Sequence, residues 1–364
     1  MAMANRKFPS LPLSLLPLVV LHEIIGYLDH STLRSLARAS DRLESVFAPE
    51  IFKSVSLEFS EQDFTFLYML AGSGLAKYVK TLQYNASTLL HPDLSDAEKF
   101  YEVLFTPEDY VNSQSQGLWS TNPYCTHYYD IQPFLLEQLA KQSKVVYSQA
   151  DSLTLDYALP KLSNLEKFIF RFEPHVAFHE HPACFWDMQG TFRRHWTSTF
   201  QPMCAREPRM ASIRSLELFL GAATMEPMDL DLIRPLLQNV EELHLHEFRT
   251  FEFIADHIKI RSLKALRLTT VTGLRLGALE AFCRRHRESL RGLHLADIQG
   301  HFNPMILEDL QDFRRIGQAC PFEEVTVSVH NYLHGATEQP EIVEALLLGG
   351  VKDVDPIKTG FIYS

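Results

Sequence analysis

Histidine and cysteine side chains, which are common zinc ligands in proteins, concentrate in one stretch of this sequence. The stretch contains His175, His179, His181, Cys184, His195 and Cys204. Its first four members follow the spacing H-x3-H-x-H-x2-C, which matches no established zinc-binding pattern. We therefore interpret residues 171–212 as a histidine-rich and aromatic insertion and expect no metal site there. The competing hypothesis of a zinc-dependent hydrolase built around residues 175–204 stays open.

A second pair of histidines, His244 and His246, alternates along a predicted strand. Alternate side chains of a strand point to the same side of a sheet, so these two imidazoles lie on one face. A pair of histidines on a strand face more often makes ordinary surface contacts than it binds a metal. We expect contacts of that kind here.

Motifs that carry enzymatic chemistry do not stand out in this sequence. Gly72, Ser73, Gly74 and Lys77 lack the spacing and the terminal hydroxyl residue of a phosphate-binding loop. Neither the nucleophile elbow GxSxG nor the zinc-protease motif HExxH occurs. We therefore predict a protein that is not an enzyme, with no catalytic residue and no cofactor.

The composition is ordinary for a soluble globular protein. The net charge is −11 and no lysine-rich tract occurs, which argues against nucleic acid or an anionic membrane as a partner. The uncharged segment 8–21 contains three prolines and is only 14 residues long, which is too short to span a bilayer. The five cysteines are scattered and form no CxxC motif, so we expect reduced thiols and a cytoplasmic or nuclear location.

A repeated pattern, apolar-x-x-Leu-x-apolar, occupies much of the chain and alternates with helical patterns. Its copies are Leu165, Phe168, Phe170; Ile213, Leu216, Leu218; Val240, Leu243, Leu245; Leu263, Leu266, Leu268; Leu290, Leu293, Leu295; and Phe322, Val325, Val327, with a more degenerate candidate at Val79, Leu82, Tyr84. Each unit offers a strand and a helix that cannot bury their apolar sides alone. Stacked units would form a parallel sheet over one elongated core. An ordinary doubly wound α/β domain is the alternative.

The N-terminal region reads as three short amphipathic helices over residues 16–57. Pro17 suits the first turn of a helix, Asp29 or Ser31 can cap a second helix, and Ser40 or Asp41 can cap a third that stops before Pro49. The apolar positions that we expect to dock on a partner, or to form the small core beneath that surface, are Leu16, Pro17, Val20, Leu21, Ile24, Leu28, Leu33 and Leu36. Three such helices bury too little surface to be a robust domain alone.

The N-terminal segment resembles the F-box, a helical motif that docks on the Skp adaptor of cullin-based ubiquitin ligases. Val19 stands where that family often has an acidic residue. The repeats resemble leucine-rich repeats of the longer variety, which have one helix per repeat. Together the resemblances imply an α/β chain with an F-box at residues 8–60 and a degenerate solenoid at 61–364, strands on its concave face and helices on its convex face.

By these resemblances the chain would be the substrate-recognition subunit of an SCF-type ubiquitin ligase. Its partners would be a Skp-type adaptor, a cullin reached through that adaptor, and an unknown target protein. We expect target contacts from residues that flank the inward leucines and from the 171–212 insertion, with Phe219 as an exposed aromatic anchor. The strand positions are Phe219, Glu242, His244, His246, Arg267 and His294. A binding scaffold that acts outside a ligase is the alternative function.

Overall fold

The computed structural model describes residues 13–115, 127–173, 184, 187–204, 212–221, 223–248, 251–271, 273–296 and 307–328. Within these ranges the chain is an α/β protein built on one eight-stranded sheet in which all neighbouring strands are parallel. The strands are β1 (Ser54–Glu58), β2 (Thr81–Ser87), β3 (Lys167–Glu173), β4 (Ser215–Phe219), β5 (Glu242–His246), β6 (Ala265–Thr269), β7 (Gly292–Ala296) and β8 (Glu324–Ser328). Their order in the sheet is their order in the chain, so each connection leads to the adjacent strand.

The helices are α1 (Leu18–Ile25), α2 (His30–Ala37), α3 (Asp41–Ile51), α4 (Glu61–Gly72), α5 (Ala97–Lys99), α6 (Pro107–Ser115), α7 (Tyr128–Ser148), α8 (Ala150–Ala158), α9 (Met188–Cys204), α10 (Pro227–Leu237), α11 (Phe251–His257), α12 (Leu276–His286) and α13 (Leu307–Ala319). One helix from each connection packs beside the next, in the order α4, α8, α9, α10, α11, α12, α13. These helices form a layer against the sheet. None of the helices in the described ranges combines the length and apolar character needed to cross a membrane.

Two rows of apolar side chains run across the sheet and join it to the helix layer. The first row is Val55, Leu82, Phe168, Leu216, Leu243, Leu266, Leu293 and Val325, and the second is Leu57, Tyr84, Phe170, Leu218, Leu245, Leu268, Leu295 and Val327. All of them are buried, and they belong to one continuous core together with apolar residues of the helices. The prediction of an α/β protein with parallel strands at the repeated signature is thus confirmed. Strand β1 was missed because Val55 and Leu57 were read as the end of the helical segment.

The three N-terminal helices form a small cluster with its own core. Leu21 of α1, Leu33 of α2 and Leu43 and Phe47 of α3 meet at its centre. The Asp29 carboxylate caps α2 by accepting from the Thr32 backbone N–H at 2.8 Å. Such a cap satisfies a backbone donor that would otherwise lack a partner.

Two long-range hydrogen-bonded contacts tie the ends of this cluster together. The Arg42 guanidinium donates to the carbonyl oxygens of Ser14 and Leu16 at 2.7 and 2.8 Å. The His30 ring nitrogen Nε2 lies 2.8 Å from the carbonyl oxygen of Ile51, at the end of α3. The chain just before α1 and the ends of α2 and α3 are therefore fixed relative to one another.

Two details of the predicted helices are corrected. Pro17 lies one residue before α1, as its N-cap, whereas Ser40 caps α3 through its side chain, as predicted. Helix α3 does not stop before Pro49 but continues to Ile51. Proline removes one hydrogen bond from a helix, and near the C-terminal end that loss is offset here by burial of Ile51.

Most of the described part of the 171–212 insertion is helix α9, which packs in the core, and residues 171–173 belong to β3, so the interpretation of these parts as a loop is wrong. Phe192, Trp196 and Phe200 repeat every four residues along α9 and are all fully buried against the sheet. The Trp196 ring meets Phe170 of β3 edge to face, with ring centres 5.5 Å apart. Its indole N–H donates to the Asp229 carbonyl oxygen of α10 at 3.0 Å. Helix α9 therefore supplies the connection between β3 and β4 and fills the core there.

We predict that Trp196→Ala destabilises the chain by about 3–5 kcal/mol, because it removes a large buried ring and leaves a cavity. Urea unfolding followed by circular dichroism measures this loss. The matched control is Tyr147→Ala on α7, whose ring is exposed and whose loss should change the unfolding free energy by less than about 0.5 kcal/mol. Equal stability of the Trp196 variant and wild type would contradict the assignment of α9 to the core.

Candidate interaction surfaces

The structure divides the eight apolar positions proposed for adaptor binding into two groups. Leu21 and Leu33 are buried in the cluster of α1–α3, so they shape the surface without belonging to it. The others are accessible to different degrees: Leu16, Ile24, Leu28 and Leu36 are half-buried, and Pro17 and Val20 are exposed.

Around these positions lies a group of exposed apolar side chains that the sequence analysis did not include. It comprises Leu15, Leu18, Val19 and Tyr27, with Val20 beside them; we call these five residues the α1 patch. Val19 is 70 % exposed and Tyr27 is 90 % exposed. Contiguous patches of exposed apolar side chains are typical of surfaces that bind another molecule, whereas isolated exposed apolar residues need no explanation.

The second surface is the side of the sheet opposite the buried apolar rows, which we call the polar face. Its central row crosses the sheet as Ser56, Gln83, Ile169, Glu217, His244, Arg267, His294 and Thr326. A neighbouring row contains Asn85, Arg171, Phe219, His246 and Thr269. The six positions proposed for target binding all lie on this face in adjacent strands. Glu242 and Arg267 are exposed, while the other four are half-buried.

Phe219 is not the exposed anchor that we expected. Its ring is stacked on the His246 imidazole, with ring centres 3.6 Å apart and planes 9° from parallel. The Arg171 guanidinium lies over the Phe219 ring at 4.0 Å. Because Arg171 and His246 come from the two strands on either side of Phe219, the ring is held between them. Both faces of the Phe219 ring therefore make contacts within the chain.

Glu217 forms the centre of a charged cluster on the polar face. Its Oε2 atom accepts from the Lys167 ammonium at 2.6 Å, and its Oε1 atom lies 3.3 Å from His246 Nε2 and 3.8 Å from His244 Nδ1. Burial raises the pKa of Glu217, but hydrogen bonds from His246 and Lys167 outweigh burial and lower the pKa to about 2. Burial, reinforced by the neighbouring His246, lowers the pKa of His244 to about 4. At neutral pH the carboxyl is therefore ionised and His244 is uncharged.

Sequence reasoning missed Glu217 as a partner of the two histidines. Both Glu217 and His244 directly follow the central leucine of their repeats, Leu216 and Leu243. Equivalent positions of stacked repeats become neighbours across the strands, and the structure pairs these two residues. An alignment of the repeats would have revealed the contact.

Two proposed zinc ligands of the insertion have structural roles, while His175, His179 and His181 lie outside the described residues. Cys184 is buried among apolar side chains, and its thiol donates to the Leu104 carbonyl oxygen at 3.6 Å. Burial raises the pKa of the Cys184 thiol to about 12, so the thiolate that a metal requires is disfavoured. His195 is buried with Nδ1 3.2 Å from the Tyr84 hydroxyl oxygen and Nε2 2.9 Å from the Ser87 carbonyl oxygen. Both of its nitrogens are engaged.

The sequence was compared with models of protein families and with curated proteins, and neither comparison gave a match. The resemblance to F-box and leucine-rich-repeat proteins therefore depends on the residues of this chain alone. Those residues are the apolar positions of the N-terminal helices and the repeated strand signature.

We predict that His195 makes the stability of the chain depend on pH. Burial, with the Arg194 charge beside it, lowers the pKa of His195 to about 3, far below the 6.5 of an unfolded chain. The unfolded state then binds more protons, so stability falls as pH decreases from 6.5 toward 3, by up to about 1.4 kcal/mol per pH unit. Urea unfolding of wild type and His195→Gln between pH 7 and 4 measures this effect, and the variant should show the shallower slope.

The matched control for this experiment is His22→Gln, which removes an exposed histidine of α1 and should leave the slope unchanged. Other buried histidines contribute equally to the pH dependence of stability in wild type and in both variants. Parallel curves for wild type and His195→Gln would contradict the prediction.

Proposed function

We propose that this chain is the substrate-recognition subunit of an SCF-type ubiquitin ligase. Helices α1–α3 act as an F-box that binds a Skp-type adaptor, and the strand–helix repeats act as a leucine-rich-repeat solenoid that binds a target protein. The observation that carries the proposal is the α1 patch. It is an apolar surface on the helical segment whose residue order resembles the F-box.

The adaptor contact is supported by how this surface is built. Leu15 ends the short 3-10 helix Leu13–Leu15, and Leu18, Val19 and Val20 are consecutive exposed residues in the first turn of α1. The buried residues Leu21 and Leu33 and the Arg42 contacts hold that helix in place. A rigid helix with apolar anchors is well suited to binding a groove between helices of a partner. Val19 then replaces an acidic residue of the family with an apolar contact.

The target contact is supported by the composition of the polar face. Its rows combine carboxylates, imidazoles, guanidinium groups and one aromatic ring within neighbouring strands. Mixed charge of this kind fits a specific protein surface better than a polyanion, whose recognition needs clustered cations. Among the six proposed target-binding positions, Glu242 and Arg267 are the two whose side chains are exposed to a partner.

In this proposal the chain positions the target protein and supplies no reactive group. A ubiquitin ligase receptor holds a lysine of its target near an activated ubiquitin that other subunits carry. Holding two reactants together converts a bimolecular step into an effectively unimolecular one. The function thus needs two surfaces at a fixed separation. Phe52, which follows α3, packs against both the core of the α1–α3 cluster and the core beneath the sheet and so links the two.

We predict that replacing Leu18 and Val19 together by aspartate reduces adaptor binding by at least about 30-fold. The interface would then bury two unpaired charges, and loss of a central anchor typically costs roughly 2 kcal/mol or more. Pull-down and calorimetry with a purified Skp-type adaptor measure the change. Leu153→Asp is the matched control, because Leu153 is an exposed leucine on α8, away from the α1 patch.

Both residues of the double variant are exposed, so its unfolding free energy should stay close to that of wild type. Unchanged adaptor binding by the folded double variant would rule out the F-box assignment. Co-purification of a cullin with the tagged wild-type chain distinguishes a ligase subunit from a scaffold that uses the adaptor alone.

We predict that reversing the two exposed charges among the proposed target-binding residues, with Glu242→Lys and Arg267→Glu, lowers recovery of the target at least tenfold. Like charges placed across an interface cost several kcal/mol. The target is first identified by crosslinking and mass spectrometry of the tagged chain, then its recovery by each variant is quantified. Arg234→Glu on α10 serves as the control in the helix layer. Full recovery by the polar-face variant would place the target elsewhere.

A further inference from the structure

Three potential metal-ligand atoms face one another on the polar face. Strands β4 and β5 pair Glu217 with His244, and His246 follows two residues later on the same side. His246 Nε2 lies 3.0 Å from His244 Nδ1 and 3.3 Å from Glu217 Oε1, and His244 Nδ1 lies 3.8 Å from that oxygen. Within the described residues, these three side chains form a group whose potential ligand atoms lie close to one another.

The three separations match those of a tetrahedral zinc site. Zinc–nitrogen and zinc–oxygen distances of about 2.0–2.1 Å place the donor atoms of a tetrahedral site about 3.3 Å apart. The triangle with sides of 3.0, 3.3 and 3.8 Å has a point about 2.0 Å from all three atoms, near the bond length that zinc needs. The three donor atoms are therefore spaced as zinc ligands require.

Each of the three ligating side chains is held by a residue that is not a ligand. His244 Nε2 lies 3.0 Å from the Thr269 hydroxyl oxygen, a contact that orients the imidazole ring. The His246 ring is stacked on Phe219, which Arg171 covers from the neighbouring strand. The Lys167 ammonium binds Glu217 Oε2 and leaves Oε1 directed toward the histidines. Such supporting contacts orient metal ligands and fix their tautomers.

The neighbouring charges do not by themselves attract a cation. Lys167 and Arg267 carry positive charge nearby and oppose a cation, so only directional bonds to nitrogen and oxygen can make binding favourable. Imidazole and carboxylate together suit zinc, whereas magnesium prefers an octahedron of oxygen ligands. With zinc bound, His246 would carry its proton on Nδ1.

We propose that Glu217, His244 and His246 form a binding site for a zinc-class divalent ion, with Oε1, Nδ1 and Nε2 as the ligand atoms. The side chains of Glu217, His244 and His246 keep 10, 22 and 15 % of their exposure, so the site is reached from the polar face. Three protein ligands leave a tetrahedral ion with one further position. Water would occupy that position in the free chain. Ion binding at this site needs no adaptor or target, so its test is independent of the proposed function.

The test is calorimetric titration of Zn²⁺ into the metal-stripped, full-length chain, with Mg²⁺ as a second ion. We expect saturable uptake of one Zn²⁺ per chain, no uptake of Mg²⁺, and at least tenfold weaker Zn²⁺ binding by His246→Gln. Thr269→Val removes the contact that orients His244 and should weaken Zn²⁺ binding by about 10–100-fold. His294→Gln is the matched control, because His294 is half-buried on the same face in β7 and is not one of the three ligands.

A second readout tests the identity of the ligands without relying on variants. Co²⁺ bound at this site should give the visible absorption of a tetrahedral ion with nitrogen and oxygen ligands and no thiolate band. Absence of saturable Zn²⁺ uptake by wild type would overturn the proposal. Undiminished Zn²⁺ binding by His246→Gln, or a thiolate band from Co²⁺, would assign the ion to other residues and overturn it as well.

Discussion

The structure depends on the burial of two rows of apolar side chains that run across all eight strands. Most strands here are only five residues long and offer two inward side chains, so none of them could be stable alone. Stacking each strand and helix on the next removes both rows from water. A buried leucine contributes about 1.5–3 kcal/mol relative to an exposed one. A slip of one residue would turn the leucines outward, so this burial also fixes the register.

The same register builds the polar face. When Leu216 and Leu243 align in the core, Glu217 and His244 necessarily align on the other side of the sheet. The stack of Arg171, Phe219 and His246 arises in the same way from the neighbouring row. Side chains that are far apart in the chain thus become a fixed arrangement of charge and imidazole groups. The binding properties of this face are set by the core beneath it.

Much of the fold could be predicted from the sequence because leucine periodicity is a local signal. The strands around Leu216, Leu243, Leu266 and Leu293 follow directly from that pattern. Helix α9 was hidden by its unusual composition, although Phe192, Trp196 and Phe200 carry a helical spacing. The histidine and cysteine residues of the same stretch are typical of metal sites, and they obscured the helical spacing of the buried rings.

The candidate sites were less predictable, because they arise from contacts between strands. The stacking of Phe219 between two neighbours and the ion pair of Lys167 with Glu217 require the register and the side-chain positions. Likewise, the sequence marks Leu21 and Val20 as similar apolar residues, but only the packing of α1 on α3 separates the buried residue from the exposed one. The residue types in the sequence do not reveal which side of a short helix is buried.

Hydrogen–deuterium exchange of the full-length chain, with and without a purified Skp-type adaptor, tests the central claim most directly. The account predicts that the adaptor slows amide exchange in α1 and the turn that follows it, where the α1 patch lies, and leaves β4–β7 unchanged. The polar face then remains available for a target while the adaptor is bound. Protection by the adaptor confined to the strands of the polar face, or no protection anywhere, would contradict the account.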